Sequence, residues 1–127
     1  MELYVGGYAQ GKLGYVMKQT GTSLDKVFDG ASCIENFYHK DVRILNHFHL
    51  FVKSRLKEGR NPEEEIGEML LRFPRLIIIS DEVGNGIVPV EAEEREYRER
   101  LGRILCTLAE KAEKVERIVC GIGQRLK

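Results

Sequence analysis

The chain has 127 residues, room for one domain with a real core but not for two ordinary ones. Twenty basic residues balance twenty acidic ones, so no global field draws the protein to nucleic acid or to an anionic membrane. The three cysteines, Cys33, Cys106 and Cys120, have neither zinc spacing nor the density of a disulfide framework.

A soluble, cytoplasmic protein with reduced thiols is expected, and its neutrality favours self-association. Met1 to Val5 shows no basic leader followed by a long apolar stretch, so no signal peptide is expected. The longest apolar run, Leu76 to Ile79, is far too short to cross a bilayer.

In chain order, Leu3-Tyr4-Val5 predicts a strand running into Gly6-Gly7, and a short helix follows from Lys12 to Gln19, ended by Gly21. Lys26-Val27-Phe28 predicts a second strand ending at Asp29. Apolar residues at 34, 37/38, 42, 45, 48, 52 and 56 recur every three or four positions, which predicts one long helix, possibly broken, closed by Gly59. Asn61-Pro62-Glu63-Glu64-Glu65 is a helix start: Asn caps the free amides, Pro fits the first turn, and the acids face the positive dipole end. That helix stops at Pro74. Leu76 to Ile79 predicts a strand buried on both faces. A Gly-rich loop from Asp81 to Pro89, a helix from Glu91 to Lys114 and a final strand, Arg117 to Cys120, complete the chain. Alternating strands and helices predict a single α/β domain over residues 1–127: a three-layer architecture with a mainly parallel sheet.

Gly6-Gly7-Tyr8-Ala9-Gln10-Gly11-Lys12 fits G-x-x-x-x-G-K between a strand and a helix, the context that gives this motif meaning. Such a loop curls so that backbone N–H groups point at phosphate oxygens, and Lys12 reaches the β- and γ-phosphates. The next residue should be a Ser or Thr that ligates Mg²⁺; it is Leu13, which cannot. The alternative is a glycine turn with an incidental lysine.

A family comes into view toward the C-terminus. Ser80-Asp81-Glu82-Val83-Gly84-Asn85-Gly86-Ile87-Val88-Pro89 is similar to T-N-E-V-G-x-G-I-V-P. Tyr97-Arg98-Glu99 with Gly102 is similar to F-R-D-x-x-G, and Val119 to Ile122 to a V-x-G-I ending. With the loop beside G-G-A-R-S-G-K-S, the chain resembles a shortened member of the adenosylcobinamide kinase/adenosylcobinamide-phosphate guanylyltransferase family. The resemblance implies a reduced P-loop NTPase-like fold, a tendency to oligomerise, and a step of cobalamin assembly. In that step an alcohol of adenosylcobinamide is phosphorylated by a nucleoside triphosphate, and GMP is then transferred from GTP through a guanylated histidine. It also implies GTP or ATP with Mg²⁺ as cofactors. Nucleotide contacts fall on Gly6, Gly7, Tyr8, Ala9, Gln10, Gly11, Lys12, Leu13 and Glu82. Placing Asp29-Gly30-Ala31-Ser32 on the family's D-C-L-T makes Lys12 and Asp29 the catalytic pair, with Asp29 orienting the metal. A loop aspartate or helix cap is the alternative for Asp29. For the Gly-rich loop, the alternative is a turn that closes the sheet.

With that placement, no histidine lies between the loop and Asp29, where the family carries a second strand and its histidine. His39, His47 and His49 then come too late in the chain, and guanylyl transfer is expected to be lost. On one helix His47 and His49 would stand roughly 200° apart and could not share a metal. Leu105-Cys106 replaces a polar N-Q pair. Two readings remain: a reduced kinase, and a non-catalytic module that holds a nucleotide or serves assembly.

Overall fold

The computed structural model describes residues 1–39, 41–82 and 91–127. Strands β1 (Glu2–Gly6), β2 (Val27–Asp29), β3 (Ile44–Asn46), β4 (Ile77–Asp81), β5 (Lys114–Val119) and β6 (Ile122–Arg125) form one sheet in the order β2-β3-β4-β1-β5-β6. Every neighbouring pair is parallel except β5 with β6. Helices α1 (Lys12–Thr20), α2 (Phe48–Lys57), α3 (Pro62–Arg72) and α4 (Ala92–Lys111) complete a three-layer α/β domain.

Both faces of the central strands are covered, which explains the unbroken apolar run of β4. Ile78 and Leu3 join the large core beneath α2, α3 and α4, whose other members include Phe48, Met69 and Leu101. Ile77, Ile79 and Tyr4 point the other way, into a smaller cluster with Val16 of α1. The start of α3 follows its sequence signal, since the Asn61 side chain accepts a hydrogen bond from the Glu64 amide and Pro62 opens the helix.

The expected long helix from Ile34 to Leu56 is not formed. A 3₁₀ turn (Ile34–His39) gives way to β3, and α2 begins only at Phe48, with His47 in the left-handed region at φ 55°. Three consecutive buried residues, Ile44, Leu45 and Asn46, carry no visible alternation, so a helical period absorbed them. The expected end of the chain's last strand differs as well. Cys120 and Gly121, at φ 50° and 73°, make the two-residue turn that suits a hairpin, and β6 folds back on β5. Of the Gly-rich loop, residues 83–90 lie outside the described residues.

Candidate functional site

In a parallel sheet the carboxyl ends of the strands share one edge, the usual ligand side of an open α/β fold. Here that edge gathers Gly6, Asp29, Asn46 and Asp81, with Gly6 in register with Asp81 and Asp29 with Asn46.

The loop after β1 is curled in the way an anion cradle requires. Ala9 (φ 56°) and Gly11 (φ 77°) both adopt the left-handed conformation. A Cβ on Gly6 would meet the Ile118 carbonyl at 2.5 Å, so only glycine fits where β1 enters the loop. Gly11 caps α1 without a side chain and no acid stands in the first turn, which leaves the first-turn amide N–H groups uncapped by a side chain at the positive dipole end. Gln10 ties the loop to the β5–β6 turn. Its side-chain oxygen accepts from the Cys120 amide and its carbonyl from the Gly121 amide, each at 2.8 Å. Tyr8 stands at the tip, exposed.

Lys12 is buried, and its ammonium donates to the Gly7 carbonyl at 2.7 Å and pairs with Asp81 Oδ1 at 2.6 Å. Asp81 in turn meets His49. The Asp81 amide donates to His49 Nδ1 at 3.1 Å, which places the ring proton of the neutral imidazole on Nε2, 3.4 Å from Asp81 Oδ2. Burial pushes the His49 pKa down; Asp81 opposes the shift, while His47, Lys12 and Lys53 add to it. Tyr97 of α4 donates its hydroxyl to the His49 carbonyl at 3.0 Å. Burial and the nearby acids Glu94 and Asp81 raise that phenol to about 12.

Asp29 and His47 form a second, more open pair on the same edge. His47 Nδ1 lies 3.0 Å from Asp29 Oδ1, and the Ala31 amide donates to the same carboxylate. Burial works against ionisation of Asp29, but the Ala31 amide and His47 outweigh it and hold the carboxyl below its usual value. The His47 and His49 rings are 5.7 Å apart, edge to face, because one precedes α2 and the other lies within it.

Asp29 was expected beside the loop. It stands instead three strands from β1 in the order β2-β3-β4-β1, about 14 Å at the usual strand spacing. The carboxylate that reaches Lys12 is Asp81, which sequence reasoning treated only as the start of a loop. Its signal was present in part: it ends the strand whose unbroken apolar run marks it as central to a parallel sheet. Glu82, expected at the nucleotide, has its carboxylate on Arg117 Nε at 3.0 Å, and its amide donates to the Gly6 carbonyl. Leu13 packs against the smaller core cluster.

The family model for CobU, described as cobinamide kinase / cobinamide phosphate guanyltransferase, matches residues 22–126. The chain belongs to this family. Comparison with curated proteins gives no match. The family match begins beyond the Gly6–Lys12 loop, so the loop rests on its own geometry. No helix among the described residues is long and apolar enough to cross a membrane.

Two strands, β2 and β3, lie between α1 and β4. Asp29 ends the first of them and Asn46 the second. His39 closes the 3₁₀ turn between them.

Mg²⁺ keeps most of its waters and needs only one or two protein carboxylates besides phosphate oxygens. Asp81 fits that role as one carboxylate on the lysine side of the loop; Leu13, partly buried against the smaller core cluster, has no ligating atom to offer. No cluster of three or more ligating side chains occurs among the described residues.

Proposed function

We propose that this member of the cobinamide kinase/guanyltransferase family binds the phosphates of GTP or ATP at the Gly6–Lys12 loop and acts as a reduced kinase. The observation that carries the reading is Lys12, held inside a curled glycine loop between the Gly7 carbonyl and the Asp81 carboxylate. An incoming triphosphate offers the ammonium a stronger anionic partner, and the amides of the loop and of α1 take the remaining oxygens. Released from Lys12, Asp81 is the side chain to hold Mg²⁺ through water, and the ion would offset charge on the transferred phosphoryl group. His49 fixes Asp81 in place, and Gln10 fixes the loop. Asp29 orients His47 in this reading and holds no metal. The acceptor is an alcohol of the kind the family name implies, a corrinoid such as adenosylcobinamide.

Guanylyl transfer is left out of the reading. His47 is engaged by Asp29, and both nitrogens of His49 face Asp81. The non-catalytic alternative draws on Leu13, which leaves the metal with fewer protein ligands.

The test is titration of GTP and ATP, with and without Mg²⁺, into the wild-type chain and Lys12→Ala. Binding weakened at least tenfold in the variant is expected, and no binding at millimolar nucleotide would sink both nucleotide readings and leave only an assembly role. Phosphate release or transfer from γ-labelled nucleotide separates the kinase from the binding module. With α-labelled GTP no protein label is expected; an acid-labile label that disappears in His39→Ala would restore the guanylyl step.

A further inference from the structure

Lys12 and Asp81 satisfy one another before any ligand arrives. They stand 2.6 Å apart with both side chains largely buried. Attraction at that distance is strong once water is withdrawn, so an anion entering the loop must compete with the carboxylate for the ammonium.

Asp81 has little room to withdraw. Its backbone ends β4 in register with Gly6, and the Glu82 amide that follows donates to the Gly6 carbonyl at 2.8 Å. Its second oxygen, Oδ2, lies 3.4 Å from His49 Nε2, and its own amide donates to His49 Nδ1. Neighbouring cations are committed elsewhere. Arg117, on the strand beside β1, meets the Glu82 carboxylate, and Lys53 pairs with Glu94 at 3.6 Å. A phosphate that takes Lys12 therefore faces a fixed carboxylate, two anions about one ammonium in an enclosed site.

A bare divalent cation meets the opposite obstacle. The carboxylate it would need is already neutralised by Lys12, and no cluster of three or more ligating side chains occurs among the described residues. Each ligand alone is opposed, and each removes what opposes the other. Phosphate draws the ammonium away from Asp81, and the cation neutralises the carboxylate left behind. Such coupling is reciprocal by necessity.

We infer that Asp81 is a built-in counter-ligand, which holds Lys12 against metal-free phosphates and admits a polyphosphate only as its complex with a divalent cation. The inference rests on phosphate binding at the Gly6–Lys12 loop, proposed above, and adds what that binding selects. Its consequence runs against the usual effect of damaging a site. Neutralising Asp81 should tighten the binding of metal-free polyphosphate, because Lys12 is then left without its internal partner.

The experiment is calorimetry on the full chain with inorganic tripolyphosphate, with and without Mg²⁺ at constant ionic strength. This probe carries the charge of a nucleotide tail and no base. Wild type should bind it about tenfold more tightly with Mg²⁺ than without, and should take up no Mg²⁺ alone at millimolar concentration. Asp81→Asn should bind the metal-free probe about tenfold more tightly than wild type does, with the benefit of Mg²⁺ reduced to less than about threefold. Asp29→Asn removes one negative charge from the same sheet edge without touching the Lys12 pair, and should change metal-free binding less than about twofold. Equal wild-type affinity with and without Mg²⁺ would overturn the inference, and this holds even where Asp81→Asn fails to fold. So would metal-free binding that Asp81→Asn leaves unchanged, or that Asp29→Asn tightens equally. No binding of tripolyphosphate or GTP to either protein, under any condition, would sink the phosphate reading itself and the inference with it.

Discussion

Two acid–histidine pairs stand on the same sheet edge, and they differ chiefly in exposure. Asp81 with His49 and Lys12 is enclosed: the carboxylate is 17% exposed and the lysine 9%. Asp29 with His47 is about half exposed on both sides. Attraction between charges grows as water is withdrawn, and so does the penalty for leaving one unpaired. The enclosed pair is therefore where a charged ligand can be felt strongly, and the open pair is a local fastening. A carboxylate at a strand end is only a candidate; enclosure selects among candidates.

The sharpest way to break this contrast is to neutralise each acid in turn. Asp81→Asn leaves the buried Lys12 without a counter-charge and should cost about 3 kcal/mol of stability by urea denaturation. The next effect in size belongs to the loop's anchor. Gln10→Ala removes the acceptor for the Cys120 amide and should weaken nucleotide binding about tenfold by calorimetry, roughly 1.4 kcal/mol. Its unfolding midpoint should move little, because that amide lies in an exposed turn that water can reach.

Acid offers a finer probe. His49 has a lowered pKa in the fold, so the unfolded chain binds its proton first as pH falls below about 6.5. Its share of stability is complete above that pH and is lost on acidification toward the lower folded value. Melting temperatures from pH 7.5 to 5 should show this loss, reduced in His49→Gln. Asp29, whose pKa is also lowered, contributes above about pH 3.8 and loses its share only as pH falls through its folded value. The smallest change should come from Asp29→Asn, below about 1 kcal/mol, as for exposed ion pairs in general. A cost there equal to that of Asp81→Asn would erase the distinction between the two pairs.

Much of the framework was legible in the sequence because its signals are local. The Asn61-Pro62 start of α3 is a cap that needs no tertiary partner, and the run before Asp81 announces a buried strand. What escaped was decided by distant contacts. β3 has three residues with both faces covered, so neither period marks it, and its pairing with β2 and β4 alone makes it a strand. Missing it left Asp29 as the one strand-end residue expected between the Gly6–Lys12 loop and β4. Asp81 became recognisable only through its register with Gly6. Its neighbour in sequence is an ordinary loop; its neighbour in space is Lys12.

The tie between Gln10 and the Cys120–Gly121 turn has a kinetic consequence. The Gly6–Lys12 loop is held in shape by partners 110 positions further along the chain. During synthesis β1 and α1 emerge first, but the loop cannot be fastened until β5 has taken its place at the side of β1. Contacts of such separation close late, after the entropy of a long intervening chain has been overcome. Nucleotide affinity should thus appear in the last phase of refolding, as a signature of the completed sheet.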